Sequence, residues 1–312
     1  MNPPFSAIFL TTLIGAGQGL FLMLFGAEVL LGPVATLPQA RLFLAIGSLV
    51  SLALTAGGLI ASFFHLGQPQ RAWRGMAMWR TSWLAREGIT LPLFMAGVFA
   101  YGLIQWFDLG GSLVIGALTA IVCLVLYVCT GMIYVSIRFI QEWSTPLTLV
   151  NYLLLGCASG ATLATVLAAF GAPGLVIPFA ILAAVFKVAG LLTRSASLLR
   201  NARLKPRSTL QSAIGIKHPR IVQKAHGFMG GSFNTREFFH QRAPQFLRSV
   251  KWFFLLMAFV LPLLLLVLGV TQGSPRLLLL AFVTQYVGLV AERWFFFAQA
   301  NHPQNLYYQT IS

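Results

Sequence analysis

Residues 251–271 read KWFFLLMAFVLPLLLLVLGVT. After Lys251 the run carries no charged side chain, and it is long enough to cross a roughly 30 Å hydrocarbon layer as a helix. Gly273-Ser274-Pro275 closes it, and a second apolar run follows at about 276–298. Working outward, similar runs fill the chain at about 6–31, 40–64, 88–107, 111–137, 146–170 and 174–195. Gly32-Pro33, Gly110-Gly111 and Gly171-Ala172-Pro173-Gly174 punctuate them with turn chemistry. Backbone groups in lipid must be satisfied internally, so such runs are helices. A barrel would show short alternating segments instead. Composition agrees: 58% of the 312 residues are hydrophobic and 9% are charged, where soluble domains carry about 25% charge. The expected fold is all-α, a polytopic bundle of about eight transmembrane helices. Met1 to Phe5 lacks the basic residues of a signal peptide, and the apolar run after it is too long for one.

Charge is distributed unevenly between the two faces. Connections 2, 4 and 6 hold seventeen Lys and Arg residues, twelve of them counted with the sixth, from Arg194 at its start to Lys251 at its end, whereas connections 1, 3, 5 and 7 hold only Arg41 and Arg276. The positive-inside rule then places the even connections and both termini in the cytoplasm. The net charge of +15 does not indicate nucleic acid, because the bases sit beside spans, where topology and anionic lipid head groups account for them. Connection 6, residues 196–250, is too long for a simple turn and rich in Phe and Gly. It is expected to be a structured cytoplasmic segment that docks on a partner. Cys123, Cys129 and Cys157 lie in apolar runs without a CxxC pair, so no metal site is expected.

Ionisable residues within spans are costly and are functional candidates for that reason. Four stand out: Glu28, Lys187, Glu292 and Arg293. Glu292 and Arg293 read as either an interfacial snorkelling pair or a site. Glu28 reads equally as a solvated carboxylate. Lys187, midway along its span, needs a partner or a deprotonated state; it serves either a structural pairing or a quinone.

The stretch from Phe63 to Glu87 reads FFHLGQPQRAWRGMAMWRTSWLARE. His65 falls where the second span meets the interface, and Glu87 falls where the third begins. A quinone needs an apolar slot, donors for its carbonyls and a protonatable group near water. His65 can donate and exchange protons near neutral pH, and Glu87 can pass a proton to or from water. An interfacial aromatic belt with lipid-binding arginines is the competing reading. Heme is not expected: a bis-histidine site needs two facing imidazoles in the bundle, and His218, His226, His240 and His302 lie outside the spans.

These residues resemble a known pattern. His65-Leu66-Gly67-Gln68-Pro69-Gln70-Arg71-Ala72, followed by Ser82-Trp83-Leu84-Ala85-Arg86-Glu87, looks like the signature of the dimethyl sulfoxide reductase anchor subunit family. Weaker similarity covers Tyr134 to Pro146 and Glu292 to Phe296. The resemblance implies a quinone-reactive membrane subunit without heme. Its implied partners are a four-cluster iron–sulfur subunit on the cytoplasmic face and a molybdopterin catalytic subunit. It also carries the quinol-linked roles over to His65 and Glu87. Around them, Arg71, Arg74, Trp83, Arg86 and Tyr134 complete the candidate quinone or docking set, with Lys187 deeper.

Two features depart from the sulfoxide reductase anchors themselves, which present the motif on the periplasmic side and have a shorter sixth connection. The cytoplasmic motif and the Gly227 to His240 stretch look more like the membrane subunits of cytoplasmic sulfite dehydrogenases. Electron flow from sulfite to quinone is therefore expected, with menaquinol oxidation for a sulfoxide reductase as the alternative. A transporter or ion-translocating protein would show paired broken helices with midplane charges; only Lys187 is of that kind. A passive anchor without a quinone site is the remaining option.

Overall fold

The computed structural model describes residues 1–32, 38–64, 67–224 and 237–307. Among these residues the chain is helical, without strands, and eight helices are long and apolar enough to cross a membrane. Helix α1 spans Phe5–Leu31, α2 Pro38–Phe63, α3 Trp83–Phe107 and α4 Ser112–Val135. Helix α5 spans Pro146–Gly171, α6 Val176–Ala202, and a short α7 covers Leu210–Ile214. Helix α8, Pro244–Leu255, continues through a π turn at Leu256–Val260 into α9, Leu261–Thr271, so that the three form one crossing. Helix α10 spans Pro275–Ala298. Proline opens α5, α8 and α10, where its missing N–H leaves no intrahelical bond unmade.

Helices α1 to α4 pack as one group, and α5, α6, α9 and α10 as another; α1 against α5 joins them. These two central helices are the most buried of the set. Their sequences explain why. Gly15-Ala16-Gly17-Gln18-Gly19 faces Gly156-Cys157-Ala158-Ser159-Gly160, two small-residue stripes of the kind that let membrane helices approach at backbone distance. A Cβ on Gly19 would fall 2.2 Å from the Gly156 carbonyl oxygen, and one on Gly160 would fall 2.1 Å from the Gly19 carbonyl carbon. Polar side chains pin the same neighbourhood. The Tyr127 hydroxyl donates to Gly15 O at 2.9 Å, and Gln18 Nε2 donates to Cys123 O at 3.0 Å.

Three helix ends differ from the hydropathy reading. Helix α3 begins at Trp83, earlier than expected, because Ser82 Oγ accepts the Ala85 N–H at 3.3 Å and caps it. Helix α6 runs on to Ala202, and the last crossing pair starts at Pro244. The extra turns are polar but amphipathic, so averaged hydropathy misses them. Connection 6 shrinks to residues 203–243, of which 225–236, including His226 and most of the Phe- and Gly-rich stretch, lie outside the described residues. The Met1 amine donates to Ala300 O at 2.9 Å, which places both ends of the described chain at the end of the bundle that carries residues 64–82, here called the motif end.

Replacing Gly160 by Leu should drive α1 and α5 apart, because the obstructing atoms are backbone and cannot rotate away. A loss of about 1–3 kcal/mol or more is expected for such overpacking, read as a lowered melting temperature and monodisperse yield in detergent. Gly26, where an added Cβ would meet nothing within 4 Å, should tolerate Ala without loss.

Candidate functional site

Because α3 starts early, Glu87 lies at the beginning of its second turn rather than opening it. Its side chain is buried, and Oε1 accepts a short hydrogen bond from Thr130 Oγ1 on α4. Trp83, one turn earlier, lines a groove of about 450 Å³ with Met132, Val135, Ser136, Arg138 and Ser144. Its lining mixes apolar and polar side chains at the motif end, and Glu87 follows Trp83 by one helical turn.

His65 lies outside the described residues. Beyond it, Pro69–Met78 forms a 3-10 helix whose Arg71 and Arg74 are exposed. Arg74 sits 5.6 Å from the Trp73 ring centre, and Arg80 sits 5.5 Å from that of Trp79. Arg86 ties this loop to α3. Its Nε donates to Trp79 O at 2.8 Å, its Nη2 to Arg80 O at 2.7 Å, and its guanidinium stacks 4.2 Å from the Trp83 ring centre. The structure thus gathers Trp83, Arg86 and Glu87 at one helix start and leaves Arg71 and Arg74 on the surface.

Tyr134 is packed inside a ring of aromatics. Trp143 and Phe296 are 5.4 Å away centre to centre, Tyr152 is 5.6 Å away and Phe297 5.7 Å. The Arg293 guanidinium lies 3.9 Å from the Tyr152 ring centre. Behind it, Glu292 bridges two guanidiniums: Arg194 Nε is 2.7 Å from Oε1 and Arg293 Nε is 3.0 Å from Oε2. All three side chains are buried, Glu292 at 1% exposure, Arg194 at 2% and Arg293 at 4%. This corrects the snorkelling reading of Glu292 and Arg293 and the placement of Arg194 in a loop. The longer α6 carries Arg194 about two turns inside the bundle, opposite α10. A carboxylate between two guanidiniums offsets the desolvation that would otherwise force each charge to the surface. Sequence reasoning missed Thr130, Tyr152 and Arg194. A Thr in a span ordinarily bonds its own helix, so Thr130 carried no signal.

Two other candidates stand elsewhere. Lys187 is buried and donates to Thr162 Oγ1 at 2.5 Å, while Thr162 donates to Gln285 Oε1 at 2.7 Å, a network joining α6, α5 and α10. Its partners belong to the second helix group, whereas Glu87 and Thr130 belong to the first. Glu28 is not a solvated carboxylate. It is buried at the far end of the bundle and accepts from Tyr101 OH at 2.8 Å, Gln105 Nε2 at 2.7 Å and Ser112 Oγ at 2.5 Å.

Replacing Glu292 by Ala would leave two buried guanidiniums facing each other. Breaking a buried pair from one side costs about 3–5 kcal/mol, so this variant should fail to accumulate or melt far below the parent in detergent. Replacing the exposed Arg74 by Ala should leave the melting temperature within a degree or two, about 0.5 kcal/mol or less.

Comparison with known proteins agrees with this architecture. The family model described as DMSO reductase anchor subunit (DmsC) matches residues 1–308. A sulfite dehydrogenase subunit of Allochromatium vinosum is 51% identical to this chain over 326 aligned positions, covering 100% of both proteins. A full-length family match and that degree of identity lead to one assignment: this eight-helix membrane chain belongs to the DMSO reductase anchor subunit family.

Proposed function

We propose that this chain is the quinone-reactive membrane subunit of a molybdopterin and iron–sulfur sulfite dehydrogenase. The observation that carries this reading is the Glu87 carboxyl, buried on Thr130 one helical turn after Trp83, which lines the groove. A quinone head group needs apolar walls, hydrogen-bonding groups and a proton donor that is not in open water. Trp83, Met132 and Val135 offer the first, Ser136 and Arg138 the second, and Glu87 the third. Those residues fit the group. A bound quinone would accept electrons arriving from an iron–sulfur partner. The chain's own part is to hold the ring against Trp83 and keep Glu87 out of bulk solvent. Glu87 then delivers protons, with His65 as the imidazole of the same motif.

The motif end is read as cytoplasmic, since the far end carries few basic residues, Arg41 and Arg276 in the first turns of α2 and α10, against the many of the motif end. There the exposed Arg71, Arg74 and Arg80, with the exposed Lys205, Arg207, Lys217, Arg220 and Lys224 of connection 6, make up a basic set suited to an acidic iron–sulfur subunit. Sulfite as the electron source rests on the name of the similar Allochromatium vinosum protein. Menaquinol oxidation for a sulfoxide reductase is the second reading, favoured by the family description.

The assembled complex distinguishes these. With sulfite as donor, Glu87→Gln and His65→Ala should each lower quinone-linked turnover by about 10²-fold or more, the range of general acid–base contributions. Sulfite oxidation with an artificial dye should persist, because the dye takes electrons from the soluble subunits. Normal quinone-linked rates in both variants would remove the site from this position. A complex that ignores sulfite and reduces sulfoxides would move the assignment to the second reading.

A further inference from the structure

On the half of the bundle away from the motif, a groove of about 150 Å³ runs between α2 and α3. Small residues make it. Ala45 and Ser48 line it from α2 and Gly102 from α3, where a Cβ on Gly102 would fall 3.2 Å from Ser48 Cβ. Ala45 and Ser48 are buried, whereas Leu49, Phe99 and Trp106, which line it too, are exposed, so the groove opens sideways toward lipid. Its one hydroxyl, on Ser48, donates to Leu44 O of its own helix at 2.7 Å. The space is therefore apolar, and an apolar space of this size takes hydrocarbon rather than water.

Its outer end is charged. Arg41 stands one turn before Ala45 on the same face of α2, and its Nη1 pairs with Oδ1 of Asp108, the C-cap of α3. The ion pair thus joins the two helices that form the groove, at the far end of both. The Asp108 side chain is 71% exposed and that of Arg41 20%. Trp106, two residues before Asp108, lies where an indole meets the ester and head-group layer. Glu28 lines the adjoining pocket with Arg41, so two acidic side chains stand beside one basic one.

We propose that the groove and its ion pair bind one molecule of phosphatidylethanolamine from the far leaflet. One acyl chain lies in the groove, the phosphate meets Arg41, and the ammonium donates to Asp108. The balance of charge decides the head group. An anionic lipid would bring its phosphate to a net negative neighbourhood without a compensating cation. A choline head group carries no N–H to give the carboxylate, whereas a primary ammonium has three.

Native mass spectrometry of the complex purified in mild detergent should find phosphatidylethanolamine retained on this chain. After delipidation, titration with dioleoyl phospholipids should show phosphatidylethanolamine bound about tenfold more tightly than phosphatidylglycerol or phosphatidylcholine, as a charge-assisted hydrogen bond implies. Asp108→Asn, which keeps a residue suited to the left-handed backbone at φ 56°, should lose that preference and still bind lipid. Ala45→Leu, which fills the groove, should lose the retained lipid altogether. Leu49→Trp, which covers the groove from its exposed side without touching the helix contact, should do the same even if Ala45→Leu fails to accumulate. Phosphatidylglycerol or phosphatidylcholine binding the parent as tightly overturns the head-group assignment. Parental retention in Leu49→Trp overturns the groove, as does release of quinone in place of phospholipid.

Discussion

Direct backbone contact between α1 and α5 is the constraint on which the rest of the molecule depends. Lipid tails are as apolar as leucine, so helices in a membrane gain little from hiding apolar surface from one another. What holds them is close packing and the satisfaction of polar groups. At Gly19 and Gly160 the two helices have no side chain between them. That spacing sets how near α4 comes to α5, and so brings Tyr134 of α4 against Tyr152 of α5. A wider crossing would separate the carboxyl of the first helix group from the charge cluster of the second.

Polar groups in this bundle are arranged by depth. At the far end Glu28 is held by three neutral donors, and in the middle Lys187 meets hydroxyl and amide oxygens. Toward the motif end the partners become charged, with Glu292 between Arg194 and Arg293. Each buried charge has a protein partner, as the cost of an isolated ion in low dielectric demands. The concentration of ionisable groups at the motif end is what makes it suited to chemistry involving protons.

Much of this was legible in the sequence, for identifiable reasons. Eight apolar runs separated by Gly and Pro give eight crossings because lipid admits few alternatives. The motif residues from His65 to Glu87 identified the family and singled out Glu87. The charge cluster was not legible, because hydropathy averages over all faces of a helix. Thr193, Arg194, Ser195 and Ser197 end the apolar run of α6 on paper. In the fold Arg194 faces Glu292, nearly a hundred residues later in the chain, and a single sequence does not reveal that pairing. Likewise Glu292 and Arg293 read as a surface pair because adjacent positions on a helix point in different directions. Here both directions are interior.

The π turn at Leu256–Val260 lies where Gly288 of α10 presses on the backbone, a Cβ there falling 2.2 Å from Ala258 N. A π turn holds one residue more than an α-helical turn, so α8 and α9 are out of phase by about 100° of rotation. The faces on the two sides of this turn are therefore independently set. Evolution can retune the half of this crossing near the charge cluster, with Phe254 against Arg194, without rotating the half that packs on Leu278. A one-residue deletion within the turn would erase that independence and couple the lipid-facing pattern of one leaflet to the other.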